Sequence, residues 1–172
     1  MLRWLWLSLV VIGLDQITKQ WAEAVLTAYR PQSFLPFFDL TLMYNKGAAF
    51  SFLSSQGGWQ RWFFIIVAIG ITLVLVGWLR KLKPNEGALA AALSLVIGGA
   101  VGNVIDRALF GHVIDFIDVY YLAGSCLPMF ASVVTNEGAQ CHWPAFNIAD
   151  SAIFLGVVVL LLDAFFSKRE EG

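Results

Sequence analysis

The sequence predicts an all-α membrane protein, four transmembrane helices with a small extracytoplasmic β-sheet on the outer face. Three observations lead there. Of 172 residues, 59% are hydrophobic and only 13% charged, with a mean hydropathy of +0.73, far from the balance of a soluble domain. Three charge-poor runs, Trp62 to Leu79, Gly87 to Ile105 and Phe146 to Phe166, exceed the roughly 17 residues a spanning helix needs. FFDLTLMYN, Phe37 to Asn45, instead alternates, with Phe38, Leu40, Leu42 and Tyr44 on one face and Asp39, Thr41, Met43 and Asn45 on the other, as a strand does. The formal net charge of -1 says little about partners, because charge in such a chain is sorted by location; no nucleic-acid partner is expected.

The first span, about 4–26, has an apolar half, Trp4 to Leu14, and a polar half holding Asp15, Lys19 and Glu23. A basic residue before a short apolar core also suits a signal peptide, but no small-x-small site closes that core and helical spacing continues through Gln20, Trp21 and Val25. The outer segment of about 28–60 follows, with the alternating strand, a break at Lys46-Gly47 and a second strand in AAFSFL, residues 48–53. Spans of about 62–79 and 87–107 are joined by KLKPNEG, where Pro84 and Gly87 stop one helix and start the next. In the second outer segment, about 110–145, GHVIDFIDVYY sets Val113, Asp115 and Ile117 against His112, Ile114 and Phe116 and offers another strand. The last span runs about 147–166, and residues 1–172 make one integral membrane domain without repeat or linker. Arg3, Arg80, Lys81, Lys83, Lys168 and Arg169 fall on one side, which the positive-inside rule makes cytoplasmic, with both termini there. Trp21, Trp59, Trp62 and Trp143 suit an outer aromatic belt, and Trp4, Trp6 and Trp78 an inner one.

Polar residues converge on the outer half. At about 1.5 Å of rise per residue, Asp106 and Arg107 lie about 28–30 Å along the third helix, and Asp15 and Lys19 about 16 and 22 Å along the first. An unpaired charge at the bilayer centre costs on the order of 3 kcal/mol. Asp15 and Lys19 stand at i and i+4, as do Asn103 and Arg107; Gly98 and Gly102 form a small-xxx-small step that lets a helix approach closely. Asp15 with Lys19, and Asn103, Asp106 and Arg107, read equally as glue between helices; Asp163 reads as interfacial, and Asp39 and Asp118 as solvated. Asp115 and Asp150 stand apart. Asp115 is flanked by Val113-Ile114 and Phe116-Ile117, Asp150 opens a helix, and no basic residue is close in sequence to either. If the two meet, they must share a proton, and one acid with one base can hydrolyse an amide. With Asn147 as N-cap, the helix dipole favours a charged Asp150 and leaves Asp115 as the proton carrier.

Cys126 and Cys141 lie in the second outer segment, where a bridge and two free thiols are both open. With His112 and His142 they match no metal-ligand spacing, and no metal is expected.

Five blocks, DQITK at 15–19, NKGAAFSF at 45–52, GGAVGNVIDR at 98–107, GHVIDF at 111–116 and FNIADSAI at 146–153, closely resemble in order the motif blocks of the lipoprotein signal peptidases, or signal peptidase II. The resemblance implies an aspartic endopeptidase of the bacterial plasma (inner) membrane. Such an enzyme removes the signal peptide from diacylglyceryl-modified prolipoproteins, cuts before the lipidated cysteine and needs no metal or organic cofactor. It further implies Asp115 and Asp150 as the catalytic pair, with Asp15, Lys19, Asn45, Asn103, Arg107 and Asn147 in support and substrate-positioning places. The expected partners are the lipid-modified prolipoprotein and membrane lipid, with the protein a monomer and its active site near the extracytoplasmic face. The segment from Tyr121 to Trp143 is longer than the link such enzymes usually carry between the two aspartates. Two rival readings are a small proton- or ion-coupled transporter, whose site would lie near the midplane and whose helices would show inverted repeats, and a non-enzymatic scaffold.

Overall fold

The computed structural model describes residues 1–47, 58–123, 125–127, 130–135 and 138–170. The strand expected in AAFSFL lies outside them. A single 3₁₀ turn leads into α1 (Leu5–Val25); then come β1 (Gln32–Leu35), β2 (Phe38–Asn45), α2 (Trp59–Lys81), α3 (Gly87–Phe110), β3 (Val113–Ala123), β4 (Ala131–Thr135), β5 (Gly138–His142) and α4 (Ile148–Glu170). The strands form one antiparallel sheet in the order β1-β2-β3-β5-β4. The all-α expectation is thus corrected to a mixed helix–sheet fold. Away from the helices, the segments between spans satisfy their backbone groups by pairing with one another.

Among the described residues, α2, α3 and the Ile148–Phe166 part of α4 are long and apolar enough to cross a membrane, with mean hydropathies of 2.6, 2.0 and 2.2. The chain is a multi-pass membrane protein. Central α3 packs against α1, α2 and α4, and its glycines make this possible. A Cβ on Gly98 would stand 2.9 Å from the Ser8 backbone, and one on Gly102 would stand 2.7 Å from an Asp15 carboxylate oxygen, so the predicted small-residue step is where α1 crosses. Gly99, between them, meets the α4 backbone at Ala149 instead.

Two apolar clusters fix the ends of the bundle. Leu79, Ala90, Leu93 and Ile97 gather Met1, Trp4 and Leu5 at one end; at the other, Ala22 and Leu26 of α1 pack under Leu42, Ile114 and Phe116 of the sheet. The passage from α3 to β3 is abrupt. Gly111 adopts a left-handed conformation (φ 81°) and its N–H bonds to the Arg107 carbonyl at 3.1 Å, a cap that only glycine takes without strain. Within four residues the chain has turned from helix to a strand carrying Asp115.

The predicted alternation of β3 holds up to Phe116 and then breaks. The N–H groups of Phe116 and Ile117 both donate to the Phe146 carbonyl, at 3.1 and 2.9 Å, which is a β-bulge. Both side chains pack toward the core, so Asp118 emerges on the same face as Asp115. Asp39 and Asp118 are therefore not solvated as expected: they are 6% and 5% exposed, facing each other across β2 and β3. Asp118 accepts from Thr41 Oγ1 and pairs with His142 Nδ1, each at 2.8 Å.

Candidate active site

Asn147 caps α4: its Oδ1 accepts the Asp150 N–H at 2.9 Å, while an Asp150 carboxylate oxygen accepts the Asn147 N–H at 3.3 Å. This reciprocal box locks Asp150 into the first turn. The same asparagine turns its Nδ2 to Asp115 Oδ1 at 2.7 Å. One side chain thus binds both aspartates. Asn45 Nδ2 donates to the other Asp115 oxygen at 3.2 Å, and Asn103 Nδ2 donates to Asp150 Oδ1 at 2.8 Å.

Below this layer lies a buried ion cluster. Lys19 Nζ touches Asp15 at 2.7 Å, Asp106 at 2.8 Å and Asn103 Oδ1 at 3.0 Å, and Lys19 and both carboxylates are wholly buried. Asp15 also accepts the Ala149 N–H of α4 at 2.9 Å, and Asp106 accepts the Ile114 N–H of β3 at 3.1 Å. Removing Lys19 would strand two buried carboxylates, a loss of about 3–5 kcal/mol. Glue and site are the same network: Lys19 fixes the Asn103 amide, and that amide faces Asp150.

Of the sequence-predicted residues, Asp15, Lys19, Asn45, Asn103, Asn147, Asp115 and Asp150 come together. Arg107 stands beside them, donating to the Gly47 carbonyl at 2.9 Å and lying over the Phe64 ring at 5.3 Å, so it steadies the chain next to Asn45. Asp106 belongs with the site although the sequence reading left it among structural polar residues, and so does Gln16, whose Nε2 donates to Asp106 at 2.8 Å. The spacing of Asp106 to Asn103 was the available signal. Gln16 stands inside the DQITK block, but the resemblance assigns it no role.

Asp115 lies on β3, outside the spanning helices, and its carboxyl is pushed up from 3.8 to about 8, first by burial and then by the charge of Asp150. Asp115 and Asp150 line an open groove of about 1720 Å³. The sheet face with Asp39, Thr41 and Asp118 forms one wall, Leu127, Phe130, Ala131 and Val133 of the outer segment another, and Ile153, Phe154 and Val157 of α4 an apolar side. Small-molecule sites run to roughly 300–1,000 Å³, so this groove has room for an extended chain.

Cys126 and Cys141 are joined, with Cα atoms 5.3 Å apart, which settles the open choice in favour of the bridge and takes both sulfurs out of the four-residue metal reading. His142 is engaged by Asp118, and His112 packs against the Tyr44 ring at 4.6 Å. Among the described residues, no group of three or more His, Cys, Asp or Glu is arranged to hold a metal.

This arrangement defines a membrane-embedded bundle whose buried polar network presents two carboxylates to an open groove. A family model described as signal peptidase (SPase) II matches residues 7–166, and the chain belongs to that family. A lipoprotein signal peptidase of Shewanella sp. (strain MR-4) is 46% identical over 170 residues, covering 99% of this chain and 90% of that protein. The lipoprotein signal peptidase of Aeromonas hydrophila subsp. hydrophila is 45% identical over 171 residues, covering 99% and 92%. Two solved bacterial membrane enzymes obtained by the in meso method share the fold. One has a TM-score of 0.80 at 28% identity, covering 100% of this chain and 93% of its own, and the other 0.73 at 30%, covering 95% and 93%.

Proposed function

We propose that this chain is an aspartic endopeptidase that removes the signal peptide from diacylglyceryl-modified prolipoproteins, cutting just before the lipidated cysteine. The observation that carries the aspartic assignment is the meeting of Asp115 and Asp150 on one asparagine at the floor of the groove. Asp115 carries the proton at neutral pH and Asp150 acts as the carboxylate. Asp150 takes a proton from water as the oxygen attacks the scissile carbonyl while Asp115 donates to the carbonyl oxygen; Asp150 then passes its proton to the leaving amine as the C–N bond breaks, and Asp115 regains its own from the tetrahedral hydroxyl. Asn45, Asn103 and Asn147 hold both carboxyls so that little reorganisation accompanies the step.

In the membrane, α1 supplies the fourth span. Its outward residues, among them Leu9, Leu14, Ile17 and Trp21, are apolar, while Asp15 and Lys19 are sealed inside. Both termini then lie in the cytoplasm and the groove opens at the extracytoplasmic face, where the signal peptide and its lipid arrive from the bilayer and the protein acts as a monomer. The transporter reading finds no support: Asp15, Lys19 and Asp106 are wholly buried and paired with one another, and the curated relatives are signal peptidases.

Purified protein incubated with a diacylglyceryl-modified prolipoprotein should yield the shortened product. Asp115→Asn and Asp150→Asn should each lower the rate by at least about 10²–10⁴-fold, the usual worth of a general acid or base. Full activity in either variant would remove the proposed pair.

A further inference from the structure

The bulge at Phe116 and Ile117 brings a second polar group into the same groove, on the sheet wall away from the membrane helices. Asp39 and Asp118 are directly opposed on neighbouring strands, where like charges destabilise a sheet. Asp118 is answered by Thr41 and His142. Asp39 is not: it lines the groove, is 6% exposed, and its Oδ1 has no hydrogen-bond partner. A buried, unanswered carboxylate oxygen costs free energy that a bound donor would recover. The other cations lining the groove do not fill that place. Lys46 and Arg107 belong to the Asn45 end, and Asn45 lies six residues along β2 from Asp39, about 20 Å away.

We propose that Asp39, backed by Asp118, is a specificity-determining subsite for a cationic side chain, lysine or arginine, in the mature part of the substrate just beyond the cleavage point. This rests on the proposed function. At about 3.3 Å per residue, Asp118 lies about 10 Å from Asp115 along β3, and Asp39 lies about 13 Å along β2 from Met43, the residue opposite Asp115, a distance an extended chain covers in roughly three or four residues. The signal peptide itself has the apolar α4 side of the groove, Ile153, Phe154 and Val157. That leaves the sheet wall to the residues following the lipidated cysteine. Among these a cation gains from the carboxylates and an acidic residue is repelled by them.

The experiment is a competition among diacylglyceryl-modified prolipoproteins carrying Lys, Ser or Glu at the second, third or fourth residue after the cysteine. Wild-type enzyme is expected to favour Lys over Glu by about tenfold in kcat/KM at one of these positions, and Asp39→Asn to bring that ratio to about twofold or less. Equal rates for Lys and Glu at all three positions in wild type overturn the subsite even if Asp39→Asn fails to accumulate, and so does an unchanged ratio in Asp39→Asn. Failure of wild type to cut any substrate would instead remove the peptidase reading, and the subsite with it.

Discussion

At the scale of single residues, the site is organised by amides between carboxylates. Asn147 donates to Asp115, accepts from the Asp150 backbone and receives support from Asn103, which in turn is held by Lys19. An asparagine can do this because it offers donors and an acceptor without adding charge. The proton on Asp115 has consequences at two levels. Its folded pKa, about 8, lies above the 3.8 of an unperturbed aspartate, so the folded state binds that proton more tightly than the unfolded chain. The stability it contributes is full below pH 3.8, shrinks as pH rises, and is gone once pH passes about 8. Asp115→Asn should therefore gain in melting temperature over wild type as pH goes from about 4 to about 8 while losing activity. Wild-type kcat should fall on the alkaline side near pH 8. A rate still climbing past that value would transfer the acid role away from Asp115. Asp115, Asp150 and Asn147 were legible because each breaks an apolar context at a helix start or in a strand. Asp39 and Asp118 were not, since their burial depends on a bulge made by Phe146, far along the chain.

At the scale of elements, helices were legible and half the sheet was not. Length and apolar composition predicted spans within a few residues of α2 to α4, helical spacing did the same for α1, and alternation predicted β2 and the start of β3. β4 and β5 carry no such pattern: ASVVT does not alternate and GAQCH is small and polar. β5 is placed by β3, whose Tyr120 to Ala123 lie opposite His142 to Ala139, and by the disulfide at Cys141, and β4 pairs in turn with β5. The junction of α3 with α4 is the most demanding contact. A Cβ on Gly99 would stand 2.3 Å from the Ala149 carbonyl and 2.7 Å from Ile153, so the helices would have to separate just below Asp150. Gly99→Ala should cost about 1–3 kcal/mol and slow cleavage, because α4 carries Asp150 on its first turn. Gly77→Ala on α2, where nothing stands within 4 Å, is the control and should leave both unchanged. Thermal melts in detergent with parallel rates decide it; equal behaviour of the two variants would mean that α4 is not held where the contacts put it.

At the scale of the whole molecule, the decisive question is whether α1 crosses the membrane, because its charges keep it apart from the three apolar helices. Two packing facts say that it runs the full height of the bundle. Met1, Trp4 and Leu5 join Leu79, Leu82 and Ala90 beside the turn between α2 and α3, while Ala22 and Leu26 join the underside of the sheet. The 21 residues of α1 cover about 31 Å at 1.5 Å each, the thickness of the hydrocarbon. Its charges are no obstacle, since Asp15 and Lys19 neutralise each other out of reach of lipid. Single cysteines at Leu2, Ser33 and Lys83, all exposed, can be probed with a membrane-impermeant maleimide, because the native pair is bridged and does not react. In intact cells stripped of their outer layers, Ser33→Cys should label while Leu2→Cys and Lys83→Cys stay protected; in inverted vesicles the pattern should reverse. Labelling of Leu2→Cys together with Ser33→Cys would leave α1 on the surface, and the ion cluster that supports Asn103 would then have to form outside the bilayer.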